Sequence, residues 1–184
     1  PRFGIVELTT EIAATAVRLQ AARTGYTGED GLELFLPDEH AQAVWTAIVA
    51  AAEQAGIHAQ PAGLGARDSL RLESGFALYG HELSSEVTPV EARLLWACEL
   101  EHTFIGRDAI VKRREEKPAR TLRRLVMVEP GVPRQGYPVF DTQGAEVGVL
   151  VSGGRSPSLD SFIANAYVDS SVGSNEELMV GIRS

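Results

Sequence analysis

Arg23-Thr24-Gly25-Tyr26-Thr27-Gly28-Glu29-Asp30-Gly31-Leu32-Glu33-Leu34 is the stretch from which the rest of the chain can be read. Glycines recur at every third position, with charged and aromatic residues between them. Glycine accepts positive φ and lets another group approach the backbone, so the glycines alone describe a tight turn. That turn leads into Leu32-Glu33-Leu34-Phe35-Leu36, whose alternation predicts a strand. Its three leucines share one face, expected to pack on a helical layer, while Glu33 and Phe35 point the other way. Upstream, residues 14–22 predict a strand that runs into the glycines.

Downstream, Pro37 and Asp38 open a helix, with Asp38 as its expected N-cap and Glu39 favoured by the dipole of the first turn. Ala41, Val44, Trp45, Ile48, Val49 and Ala52 form one apolar stripe at helical spacing. The stripe assigns Trp45 to core packing, and Gly56 is the expected stop. After Pro61, Gly63-Leu64-Gly65-Ala66-Arg67-Asp68-Ser69-Leu70-Arg71-Leu72-Glu73 predicts a second helix ending near Gly75. Arg67 and Arg71 lie four apart and share a face. A guanidinium near a helix start gains nothing from the dipole, so Arg67 is expected to answer to a carboxylate elsewhere. Two readings of it stay open, a surface ion pair and an arginine that steers an anionic or polar ligand.

Residues 76–83 read as a loop or short strand, and Thr88-Pro89-Val90-Glu91 as another element start with proline just inside. Leu94-Leu95-Trp96-Ala97-Cys98 reads as buried. Phe104-Ile105-Gly106-Arg107 leads into a charged helix over 107–116. Beyond Pro118 the texture changes to short β-like runs over 122–129, 137–141, 146–152, 163–168 and 178–182, separated by glycine-rich turns. Asp141-Thr142-Gln143-Gly144 is a hairpin turn. The expected fold class is therefore α+β: a mixed α/β region over residues 1–117, then a small antiparallel β-barrel over 118–184.

Composition narrows the partners. The chain has 184 residues, 44% hydrophobic and 23% charged, the balance of an ordinary globular protein with a core. Its net charge of −8 argues against nucleic acid as a partner, since phosphate neutralisation needs a basic surface. The single cysteine, Cys98, makes no internal disulfide and suits a reducing, cytoplasmic setting. No apolar run reaches the roughly 18 residues of a membrane span, so no membrane partner is expected. The chain opens on Pro1-Arg2-Phe3, without the pattern of a signal peptide, and is read as a fragment.

Several chemistries fit poorly. The glycine spacing is GxxGxxG rather than the GxGxxG of a dinucleotide site, and no Walker lysine pattern is present. His40, His58, His81 and His102 miss metal-ligand spacings, so no metal site is expected. No G-x-S-x-G elbow appears. Arginine and glutamate beside tyrosine suit a flat polar heterocycle, because a carboxylate can accept two N–H donors from an amino-pyrimidinone edge.

The first stretch resembles the RTGYTGEDG signature of the glycine cleavage T-protein (aminomethyltransferase) family, and residues 63–73 resemble its GLGARDxLRLE segment. Residues 104–107, 134–138 and 152–159 are similar to further segments of it. The resemblance implies a folate enzyme that takes the aminomethyl group from the lipoyl arm of the H-protein, releases ammonia and passes methylene to tetrahydrofolate. It implies that Tyr26, Glu33 and Arg67 contact folate. Glu33 would hold the pterin edge and Arg67 would orient that carboxylate or the folate. Phe76 falls where some relatives carry a ligand-lining aromatic. The family's catalytic aspartate belongs to an N-terminal half with no counterpart here, so no catalytic residue is assigned and the isolated chain is expected to be inactive. The barrel is expected to be truncated. Two alternatives share the fold: the folate domain of a dimethylglycine or sarcosine dehydrogenase, and a non-enzymatic folate-binding module of the iron–sulfur-assembly type. The latter carries a KGCxxGQE-like segment where this chain reads Leu95-Trp96-Ala97-Cys98-Glu99-Leu100.

Overall fold

A computed structural model describes residues 3–182. Contacts divide the chain into two units, Pro1–Leu70 and Arg71–Ser184.

In the first unit, strands β1 (Ile5–Ile12), β2 (Thr15–Ala22) and β3 (Glu33–Phe35) form an antiparallel sheet in that order. Val17, Leu19 and Ala21 of β2 are buried while Arg18 and Gln20 are exposed, the period-two pattern of a half-buried strand. Strand β1 has no such pattern, because nearly all its residues are exposed. The expected strand over 14–22 is thus β2, and β1 is an addition. Of the three leucines assigned to one packed face, Leu34 and Leu36 are half-buried but Leu32 is exposed and precedes β3.

Helix α1 (Ala41–Gln54) follows a 3₁₀ turn at Asp38–His40. Asp38 does not cap α1 as expected. Its Oδ1 accepts from the Glu39 amide at 3.0 Å, and the cap position falls on His40, without a side-chain bond. The stop at Gly56 holds: its φ is +68°, and the amides of Gly56 and Ile57 donate to the carbonyls of Glu53 and Ala52. The apolar stripe is less buried than its periodicity suggests. Only Val44 is buried, whereas Trp45 is 58% exposed, so the assignment of Trp45 to the core is corrected.

Helix α2 (Leu64–Glu73) contains the division between units. It closes as expected at Gly75, where φ is +71° and a Cβ would also collide with the Arg124 guanidinium. In the second unit, Thr88–Glu91 gives a single turn rather than a helix. Glu91 accepts from the Thr88 amide and hydroxyl at 2.9 and 2.7 Å, and Arg93, with φ +58°, ends the turn. The run around Leu95–Ala97 is a 3₁₀ turn that leaves Trp96 82% exposed, against the expectation of burial. Helix α3 spans Arg107–Glu116, the range read from sequence.

Five strands follow: β4 (Arg120–Val126), β5 (Pro138–Phe140), β6 (Glu146–Ser156), β7 (Ser161–Asp169) and β8 (Met179–Val180). They pair antiparallel in the order β4-β7-β6-β5-β8, one for each β-like run read from sequence. Asp141 makes the expected turn between β5 and β6, its Oδ1 accepting from the amides of Gln143 and Ala145, both at 2.9 Å. The core gathers Val139, Leu150, Ala164, Ala166, Val168 and Val172.

Strand β7 is buried on both faces. Ala164, Ala166 and Val168 enter the apolar core, and Asn165 and Tyr167 point the opposite way. A register shift between Leu150 and Ser152 turns β6 over, so that Leu150 pairs with Ala166 on the core side and Ser152 pairs with Asn165 on the other. At Gly148 the strands approach so closely that a Cβ would lie 2.3 Å from the Tyr167 carbonyl oxygen. Among the described residues no helix is long and apolar enough to cross a membrane.

Candidate functional site

The loop between β2 and β3 carries the glycine-spaced stretch. Arg23 closes it with an exposed ion pair to Asp30, Nη2 lying 3.2 and 3.1 Å from the two carboxylate oxygens. Only Gly28 uses positive φ, at +81°. Gly25 and Gly31, and likewise Gly63 and Gly65 at the start of α2, have nothing within 4 Å of where a Cβ would sit. Neither dihedral strain nor a described neighbour requires glycine at those four positions.

Tyr26 and Arg67, from the two separate motifs, meet. The Arg67 guanidinium carbon lies 4.5 Å from the centroid of the Tyr26 ring, a cation–π arrangement. Arg67 thus answers to an aromatic face rather than to the carboxylate expected from its helix position. Glu33, at the start of β3, is exposed, and its Oε2 accepts a hydrogen bond from the Thr24 hydroxyl of the same loop. The first unit therefore presents a ring face, a guanidinium and a carboxylate. Phe76 belongs to the second unit, where it lines a cleft of about 570 Å³ and is 38% exposed.

A second polar cluster escaped the sequence reading. Arg71 and Glu82 are 1% and 0% exposed. Arg71 Nη1 donates to both Glu82 oxygens at 3.2 and 3.0 Å and to the Phe76 carbonyl, and its Nη2 donates to Ser152 Oγ at 2.9 Å. Glu82 also accepts from the Leu78 amide at 2.9 Å and from Asn165 Nδ2 at 2.8 Å. Burial pushes the Glu82 carboxyl up, but hydrogen bonds from Asn165, Ser152 and the Leu78 amide, with the Arg71 charge, outweigh it and hold the group below its ordinary value. Tyr167 donates to the Glu82 carbonyl at 2.7 Å, and burial foremost pushes its phenol up to about 12. His81 Nδ1 lies 2.9 Å from the Val151 carbonyl oxygen. With every charge matched and no opening to solvent, the cluster fastens the end of α2 to β6 and β7. The available signal was the pairing of Arg71 with leucines on both sides, Leu70 and Leu72, in a helix stripe.

One turn away, Glu73 binds the segment after β6. It accepts from Ser156 Oγ at 2.5 Å, and from the Ser158 amide and hydroxyl at 3.0 and 2.9 Å. The Ser156 bond is the main reason its carboxyl lies below the ordinary value.

Comparison with known proteins adds to this geometry. Residues 5–102 match the GCVT N-terminal domain, and residues 120–184 match the glycine cleavage T-protein C-terminal barrel domain. The chain is 45% identical over 166 residues to an aminomethyltransferase of Herpetosiphon aurantiacus, covering 90% of this chain and 43% of that one. It is 42% identical over 184 residues to one of Listeria welshimeri, covering 98% and 48%. The crystal structure of glycine cleavage system aminomethyltransferase T from Bartonella henselae is similar with a TM-score of 0.76 at 31% identity, over 90% of this chain and 48% of that one. The chain thus spans less than half the length of these relatives.

Proposed function

The chain belongs to the glycine cleavage T-protein family, and from that premise we propose that it is the folate-holding part of an aminomethyltransferase. The reaction is transfer of methylene from an aminomethyl group on the lipoyl arm of the H-protein to tetrahydrofolate, with release of ammonia. Tetrahydrofolate, when bound, supplies the acceptor of the one-carbon unit. The partners are the lipoylated H-protein and the folate, in the cytoplasm. The proposed domain division, 1–117 and 118–184, is supported by the start of the second family match at 120 and by the end of α3 at Glu116.

The observation that carries this reading is the stacking of Arg67 on Tyr26, which joins the two motifs of the sequence. The residues fit a pterin. Glu33 has about four lone-pair sites, and the Thr24 hydroxyl draws on one oxygen, leaving the other to take the paired N–H groups of an amino-pyrimidinone edge. Tyr26 offers a flat face, and Arg67 polarises that ring and offers its own donors to a carbonyl. The four glycines without an internal cause leave open backbone that a planar ligand could approach.

Calorimetric titration of 5-formyltetrahydrofolate into the chain tests the assignment. Binding is expected, and Glu33→Ala should weaken it about tenfold or more, the effect of losing hydrogen bonds to a charged group. Equal binding by Glu33→Ala would remove Glu33 from the site. The chain alone is expected not to release ammonia from aminomethyl-lipoyl H-protein, and turnover would overturn that part.

A further inference from the structure

Glu33, the carboxylate read as the pterin-edge acceptor, is exposed. A free glutamate side chain has several torsions to fix before its carboxylate can lie in the plane of a ligand edge. Glu33 is the first residue of β3 and pairs across the sheet with Ala22 of β2. Ala22 is buried, and its methyl group offers no donor. Side chains two apart in extended chain share a face, so the next polar neighbour on that face is Thr24, diagonally across from Glu33. There the Thr24 hydroxyl donates to Glu33 Oε2. The main chain just before Thr24 is held as well. The Arg23 amide donates to the Gly4 carbonyl at 2.8 Å, and the Phe3 amide donates to the Arg23 carbonyl at 3.2 Å. Threonine is branched at Cβ, which restricts χ1 and gives its hydroxyl a set direction.

The other carboxylate pair of the same loop makes the contrast. Asp30 is held by the Arg23 guanidinium at 3.2 and 3.1 Å, an ion pair that offsets its charge. Thr24 holds Glu33 with a neutral donor, so one oxygen is fixed while the negative charge stays available to donors from outside. Gly25, next along the chain, has nothing within 4 Å of where a Cβ would sit, which leaves the space beside the pair open to a flat group. An exposed bond between a hydroxyl and a carboxylate adds little to folding, because water replaces either partner. We propose that Thr24 is a positioning residue that acts through Glu33, holding the carboxylate in the orientation that meets the paired N–H groups of the ligand. The proposal rests on the folate reading of this site, and it gives Thr24 preorganisation of the acceptor rather than contact with the ligand.

The test is calorimetric titration of 5-formyltetrahydrofolate into the whole chain and its variants. Thr24→Val, which keeps the shape and loses the donor, should weaken binding about fivefold, the effect of one lost hydrogen bond. Thr24→Ser, which keeps the donor, should stay within about twofold of the unmodified chain. Neither should move the urea midpoint, so lost binding is not lost folding. In a Glu33→Ala background Thr24→Val should have no further effect, because the group it positions is gone. Binding by Thr24→Ser as weak as that by Thr24→Val would overturn the proposal, and so would a loss in Thr24→Val that persists beside Glu33→Ala. No binding by the unmodified chain would overturn the folate reading and this proposal with it. Full binding by Thr24→Val, with weak binding by Glu33→Ala, would instead overturn the role of Thr24 alone.

Discussion

At Glu82 a carboxylate without solvent exposure receives the Arg71 guanidinium, the Leu78 amide and the Asn165 side chain. Glu82→Gln keeps the shape and removes the charge, which strands Arg71 in a buried site. Breaking a buried pair in this way costs about 3–5 kcal/mol, to be read from urea unfolding. Replacing both partners, as Arg71→Met with Glu82→Leu, should cost less than Glu82→Gln alone, since no charge is left unpaired. The pH dependence has a fixed sign. The folded carboxyl is held below its ordinary value, so its contribution is present above that value and lost as pH falls through the lower folded one. The acid-side fall in urea midpoint should therefore shrink in Glu82→Gln. Legibility also differed residue by residue. Tyr26, Glu33 and Arg67 stood out because they lie in long, unusual strings. Arg71 and Glu82 were visible only as polar residues, because the partners that explain their burial, Ser152 and Asn165, lie in distant strands. Trp45 and Trp96 misled in the other direction: apolar spacing names a face and does not say whether the face is covered.

Among the elements, the β1–β2 hairpin holds an evident local conflict. Ile12 pairs with Thr15, so Ala13 and Ala14 form a two-residue loop, with φ +51° and +59°. Hairpin loops with positive φ at both positions favour Asn-Gly, and an L-residue with a Cβ pays about 1–2 kcal/mol for each left-handed position. Ala13→Asn with Ala14→Gly should raise stability by about 1 kcal/mol or more by urea unfolding, without altering the folate titration. No gain would mean that the turn is set by something other than its own backbone. Element boundaries were legible where punctuation was strong. Gly106 and a charged run gave α3, Gly56 ended α1, and glycine-rich turns separated β4 to β8. Strand β1 was not, because Ile5-Val6-Glu7-Leu8-Thr9-Thr10-Glu11-Ile12 buries neither face and so leaves no alternation to read. The order β4-β7-β6-β5-β8 was equally hidden, since it depends on pairing between strands that are not consecutive.

Across the whole molecule, apolar burial is uneven. The first unit buries Val17, Leu19, Ala21, Ala22 and Val44, and leaves Ile5, Val6, Leu32, Trp45, Ile57 and Leu64 more than half exposed. The second unit has a contiguous core along β5, β6 and β7. Local stability follows buried contacts, so amides of β1 to β3 and α1 should exchange with deuterium faster than those of β6 and β7. Uniform protection across both units would contradict this. The class, helices with antiparallel sheet and a terminal barrel region, could be read from texture, whereas the contact division inside α2 could not, since helix periodicity runs through it unbroken. The fastening of α2 also has a consequence in time. Arg71 meets Ser152 at a separation of 81 residues, and Glu82 meets Asn165 at 83. During synthesis both charges must stay hydrated until the last third of the chain has emerged and β6 has found β7. Closing such distant contacts is a late event, one that rewards the chain only after most of its ordering is done. Glu82→Gln should therefore leave the folding rate nearly unchanged and express its whole cost as faster unfolding.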